Sequence, residues 1–143
     1  MAYDNNNIFA KILRGEIPTY KVYEDDSTLA FMDVMPQSPG HTLVVPRYPA
    51  ENLFDLDLAA GNAVLRTVQL VARAVKEAFN ADGIMLNQFN GPAAGQTVFH
   101  FHVHIVPRYE NVALRRHTGD MEDSGVLQEQ AQRIKAVLER LSA

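Results

Sequence analysis

Apolar residues fall in two rhythms along the chain. Val64, Val68, Val71, Val75 and Phe79 recur at spacings of four and three, the period of one helix face. With Asp57 as N-cap, the spacing predicts a long helix to about residue 79. Leu127, Ala131, Ile134, Leu138 and Leu141 repeat the pattern and predict a C-terminal helix over about 122–142. Ile8, Phe9, Ile12 and Leu13 form a shorter stripe that predicts a helix over 5–13, capped by asparagine and stopped at Gly15.

The second rhythm is that of strands. Residues 20–24 and 28–32 predict a pair joined by the polar turn Asp25-Asp26-Ser27. Residues 42–45 predict a short buried strand closed by Pro46, and 84–89 a strand entered through Asp82-Gly83. A last strand is expected over 98–106, ended by Pro107. Several links are too short for a crossover helix. The fold class expected is therefore α+β, an antiparallel sheet of about five strands with a long central helix and a C-terminal helix, in one domain over 1–143.

Composition narrows the chemistry. The 143 residues contain no cysteine, which excludes disulfides and thiolate-zinc sites. A formal net charge of −4 leaves no basic surplus to displace counterions from a nucleic-acid backbone, so no nucleic-acid partner is expected. One small phosphorylated ligand remains compatible with an acidic protein, because a few N–H groups and imidazoles suffice to hold it. The first residues lack the basic-then-apolar order of a signal peptide, and no apolar run reaches membrane-spanning length. A cytoplasmic protein without a membrane partner is expected.

Three of the five histidines fall at positions 100, 102 and 104. In an extended strand they share one face, while Phe101, Val103 and Ile105 share the other and pack on a core. Three readings of the imidazole face stand side by side. It is a solvated or hydrogen-bonded strand face, a metal site, or a nucleophilic centre acting at phosphorus. No acidic residue nearby in sequence completes a ligand set, which weighs against metal. The segment 91–97, with Gly91, Gly95, Gln96 and Thr97 just upstream, weighs toward phosphorus. Such a loop brings N–H groups and a hydroxyl close to an anionic oxygen. His41 to Arg47 weakly echoes His102 to Arg108, which strand-end chemistry or duplication explains equally well.

The run Gly95-Gln96-Thr97-Val98 followed by His100, His102 and His104, each with an apolar neighbour, resembles the signature of the histidine triad (HIT) family. The resemblance extends upstream through residues 8–18, 29–36 and 39–46, and covers about residues 7 to 109. It implies an α+β homodimer that hydrolyses or transfers nucleotides at the α-phosphate. By position, His102 resembles the nucleophile that forms a covalent nucleotidyl-histidine. His100 and His104 resemble its orienting and phosphate-contacting partners, and His41 the fourth histidine of such sites. Gln96 and Thr97, with Gly95, match phosphate contacts. Asp33 matches the carboxylate on the ribose hydroxyls, and Phe9, Phe31 and Val34 match positions that line the base pocket. Asn87, or else Asn90, matches an amide facing the substrate.

The chemistry is sound without the resemblance. A neutral imidazole attacks phosphorus near pH 7 without a separate base, provided an acceptor such as a strand carbonyl holds its other nitrogen. No metal and no cofactor are then required. Asp33, Phe9, Phe31 and His41 each also have a plain structural reading, as a turn cap, core aromatics and a loop-end residue. The cysteines that hold a structural zinc in some bacterial relatives are absent, and the tail after Tyr109 departs from the phosphoramidase branch. The function expected is hydrolysis of purine nucleoside 5′-phosphoramidates or related phosphoanhydrides, releasing a nucleoside monophosphate. Hydrolysis of dinucleoside polyphosphates is the alternative enzyme, and a nucleotide- or partner-binding module with little turnover is the alternative of another class.

Overall fold

The computed structural model describes residues 3–117 and 120–142. In chain order the elements are α1 (Ile8–Leu13), β1 (Lys21–Glu24), β2 (Thr28–Met32), β3 (Thr42–Pro46), α2 (Leu58–Ala78), β4 (Gly83–Asn87), β5 (Val103–Arg108) and α3 (Ser124–Leu141). The five strands form one antiparallel sheet in the order β1-β2-β3-β5-β4, the α+β architecture expected.

Local chemistry sets the boundaries. The Asn7 side chain accepts from the Ala10 N–H at 2.9 Å, so α1 starts at Ile8 rather than three residues earlier. The Asp57 and Asp123 side chains cap α2 and α3 in the same way. Asp25 closes the β1–β2 turn, its carboxylate accepting from the N–H groups of Ser27 and Thr28 at 2.8 and 2.7 Å. Sequence periodicity missed the two short 3-10 turns at Leu53–Asp55 and Pro92–Ala94, which span less than one period of any pattern.

The sheet is covered on both faces around β2 and β3, which is why those strands read as continuous apolar runs. Ala30, Met32, Val44 and Ile105 face α2 and α3, and meet Val64, Val68, Val71, Val75 and Phe79 there. The predicted α2 stripe is thus the buried one, and its single polar member, Thr67, bonds the Thr28 hydroxyl at 2.7 Å. On α3 the stripe is buried as far as Leu138, whereas Leu141 is exposed. Leu29, Phe31, Leu43 and Val45 face the other way and pack with Phe9 and Ile12 of α1.

The histidine strand is shorter than expected. Its pairing with β3 ends at Val44↔Val103, and just upstream the Phe101 N–H bonds the Ala50 carbonyl at 2.8 Å instead. Pro46 has no N–H to extend the ladder, so residues 98–102 leave the sheet. Only His104 stands on the strand proper. It lies opposite Leu43 on one side and Asn87 on the other.

The turn into β3 depends on Gly40, whose φ of +90° lies in the left-handed region. A Cβ built there would meet the Phe79 ring at 2.7 Å. Phe79 has little room to yield, since the Arg133 guanidinium lies over its ring at 4.4 Å. Gly40→Ala should destabilise the fold by about 1–3 kcal/mol, combining backbone strain and overpacking. Urea unfolding monitored by circular dichroism checks this, and an unchanged midpoint would contradict the packing described.

Candidate active site

A cleft of about 410 Å³ opens between α1 and the β2–β3–β5 face, lined among others by Phe9, Phe31, Asp33, Val34, Gly95, Thr97, His102, His104 and His117. Its wall is mainly apolar with a few convergent polar groups, the usual makeup of a small-molecule site. Phe9 meets His102 edge-on at 4.9 Å between ring centres, and Phe31 meets Phe9 at 5.4 Å. Ile8, Ile12, Ile17, Leu43 and Met121 also stand on the wall, residues that sequence reasoning treated as core or did not single out.

Hydrogen-bond partners determine the protonation of each ring. His102 Nδ1 lies 2.7 Å from the His100 carbonyl, which only accepts, so Nδ1 carries the proton and Nε2 keeps a free lone pair. His100 Nε2 donates to the Pro46 carbonyl at 2.8 Å, which leaves its Nδ1 to accept from the Tyr3 hydroxyl. His41 Nδ1 accepts from the Gln37 N–H at 3.0 Å, so its Nε2–H donates to His104 Nδ1 at 2.9 Å. His104 therefore holds its own proton on Nε2. Burial keeps these rings neutral. It pushes His41 and His100 down to about 4, against the pull of Asp33 and the Pro46 carbonyl respectively. Burial and then the neighbouring His102 and His41 push His104 down to about 3. Burial also lowers His102, opposed by its bond to the His100 carbonyl.

The fifth histidine is the residue the sequence reading missed. His117 Nε2 lies 2.7 Å from Asp33 Oδ2, and its ring packs on those of His41 and His104 with centres 5.4 and 5.6 Å away. Its bond to Asp33 outweighs burial and raises its pKa, the reverse of the other four. Burial favours the neutral form of Asp33, but contacts from His117, His41 and the Met35 N–H outweigh it and hold the carboxyl below its usual range. No periodicity marks His117. The only sequence signal was a lone histidine after two arginines, in a segment without a helix or strand pattern.

Asp33, His41, His104 and His117 bring four possible ligand atoms within 4.8 Å of one another, which supplies the carboxylate that sequence proximity lacked for a metal reading. The proton positions argue against such a site. His41 must accept at Nδ1, so binding a metal through Nε2 would demand an imidazolate, whereas ligating histidines ordinarily donate from the second nitrogen. The 2.7 and 2.9 Å separations are also hydrogen-bond lengths, shorter than the roughly 3.3 Å between donors 2.0–2.1 Å from a tetrahedral zinc.

Several expected placements need correction. The His100 side chain does not line the cleft with His102 and His104, because the chain has left the sheet at that point and the ring turns inward, fully buried. Its carbonyl, not its imidazole, serves His102. Gln96 is likewise turned away from the cleft. Its Oε1 accepts from the Gly91 N–H, and its Nε2 donates to the Glu51 and Val98 carbonyls, so it staples the loop. The loop is a poor cradle for an anion, since the N–H groups of Ala94, Gly95 and Gln96 bond carbonyls within it. Gly95 and Thr97 remain on the cleft wall. His41 lies behind the cleft wall, fully buried, and touches it through His104, Asp33 and His117. Neither Asn87 nor Asn90 lines the cleft. Asn87 ends β4 opposite His104, while the Asn90 side chain bonds Gln88 and the Leu53 N–H.

The HIT domain family matches residues 14–111. Protein hit of Bacillus subtilis is 43% identical over 104 residues, 73% of this chain and 72% of its own length. An adenylylsulfatase of Arabidopsis thaliana is 39% identical over 120 residues, 80% of this chain and 61% of its own. Among solved structures, a HIT-like protein of Bartonella henselae involved in cell-cycle regulation superposes with a TM-score of 0.90 at 51% identity, covering 95% of this chain and 99% of that one. A zinc-bound histidine triad protein of Mycobacterium smegmatis superposes at 0.85 with 33% identity, covering 96% of each. The chain belongs to the HIT family. His117 lies outside the matched segment.

The buried neutral histidines make the fold sensitive to acid. When unfolded they take up protons near pH 6.5, but when folded only near 4 or below, so the unfolded state binds more protons between those values. Stability should therefore fall as pH drops below 6.5, by up to about 1.4 kcal/mol per pH unit for each of His41, His100 and His104. Urea midpoints at pH 7.5, 6.0 and 5.0 should decline in that order. A midpoint unchanged between pH 7.5 and 5.0 would contradict the protonation states described.

Proposed function

We propose that this protein hydrolyses purine nucleotides at the α-phosphate, taking nucleoside 5′-phosphoramidates or related phosphoanhydrides and releasing a nucleoside monophosphate. The observation that carries the reading is the His102 tautomer, whose Nδ1–H is tied to the His100 carbonyl while Nε2 is left as a lone pair. In this reading Nε2 bonds to phosphorus as the bond to the leaving nitrogen or oxygen breaks, and the leaving group takes a proton from solvent. Water then adds its hydroxyl to phosphorus, returns its other proton to solvent and frees His102. The His104 Nε2–H and the Thr97 hydroxyl stabilise the phosphoryl oxygens, with His41 holding His104 in its donor form. Phe9, Phe31 and Val34 take the base against the apolar wall. The likeness to an adenylylsulfatase supports a substrate in which an adenylyl group is joined to another acid.

His102→Ala should lower kcat/KM for an adenosine 5′-phosphoramidate by at least about a thousandfold. Intact mass after rapid quench of the wild type should show a nucleotidyl adduct. Full activity in the variant would contradict the assignment.

We further propose that the active form is a homodimer, set in the cytoplasm, joined along β4. That strand forms one edge of the sheet, carries neither charge nor proline, and exposes Leu86 beside an exposed Leu65 of α2. An unblunted apolar edge of this kind is a template for pairing. Light scattering should give twice the chain mass for the wild type and a single chain mass for Leu86→Glu. A monomeric wild type would contradict the dimer.

A further inference from the structure

Asp33 is matched by the HIT resemblance to the carboxylate that reads ribose hydroxyls, yet here its oxygens are already engaged. Oδ1 accepts from the Met35 N–H at 2.8 Å, and Oδ2 is bonded by His117 at 2.7 Å with His41 Nε2 at 3.4 Å. The carboxylate is almost fully buried, and the His117 ring stands on the cleft wall beside it. Tail contacts hold that ring in place. The Arg115 N–H bonds the Gln37 carbonyl and the Glu122 N–H bonds the Val34 carbonyl, each at 2.8 Å. An Arg115–Glu122 ion pair at 3.1 Å links these two anchored residues. His117 thus lies two residues from Arg115, which is anchored to the segment that follows Asp33.

We propose that His117 is a specificity-determining residue, which occupies the Asp33 oxygen a ribose diol would use and so makes this protein nearly indifferent to the sugar hydroxyls of its nucleotide ligand. The inference rests on the nucleotide reading of the cleft. A diol is read by donating two O–H groups to a carboxylate with free lone pairs. Paired with His117, Asp33 offers less negative charge and fewer free lone pairs, and a diol must compete with an existing charge-assisted bond to gain its own. The groups facing His117 are Asp33, His41 and His104. Of these only Asp33 carries a charge, since the two imidazoles are held neutral by burial. Selectivity then falls to the phosphate contacts and the apolar base wall.

The experiment compares the affinities of AMP and 2′,3′-dideoxyadenosine 5′-monophosphate by calorimetry. The wild type should prefer AMP by no more than about threefold. His117→Ala should raise the preference to about tenfold or more, the worth of a hydrogen bond to a freed charged group. His117→Phe keeps a ring against His41 and His104 but donates nothing, and should behave like the alanine variant. His117→Gln retains an N–H donor for Asp33 and should behave like the wild type. A wild type that already prefers AMP tenfold, or a preference unchanged in both the alanine and phenylalanine variants, overturns the inference while leaving the nucleotide reading intact. AMP binding to none of these proteins overturns both.

Discussion

The hydrogen bond from His102 Nδ1 to the His100 carbonyl, 2.7 Å long, is the contact on which the chemistry of the cleft depends. It exists because the chain leaves the sheet just before β5, so that a carbonyl two residues upstream turns toward its own histidine instead of joining a ladder. The fold maintains that departure through Pro46, which lacks an N–H, and through the Phe101 N–H, which bonds Ala50. The Pro46 carbonyl in turn accepts from His100 Nε2, so the residue whose carbonyl orients His102 is itself anchored.

Around that bond the protein assembles four neutral imidazoles and one carboxylate–imidazole pair. Burial keeps His41, His100, His102 and His104 uncharged, and each shared proton has one donor and one acceptor fixed by a backbone group at the end of the chain. Gln37 supplies a donor to His41, Pro46 an acceptor to His100, and His100 an acceptor to His102. The arrangement favours nucleophilic use of a lone pair over metal binding, because a metal at His41 would have to break the order of protons. The exception is Asp33, a buried carboxylate held below its usual range by His117, whose own pKa it raises.

Much of this was legible in the sequence, for reasons that can be stated. The α2 stripe was readable because one helix face meets one sheet face over about four turns, so periodicity and burial coincide. The grouping of His102 with His104 was readable from strand alternation, and that of both with Phe9 and Phe31 from the family resemblance. Alternation failed at His100 because it presumes an extended strand, and the strand begins only at Val103. Gln96 and the glycine-rich loop looked like an anion cradle in sequence, but the loop closes on itself and uses its own donors. His117 was invisible for a different reason. It reaches Asp33 across 84 positions, through a segment with no repeat to predict its path.

The central claim is that His102 is a neutral ring with its proton on Nδ1, and nitrogen NMR of histidine-labelled protein tests it most directly. At pH 7, His102 should show a protonated Nδ1 and an unprotonated Nε2, while His41 shows the opposite pattern. A His102 protonated on Nε2, or on both nitrogens, would contradict the account.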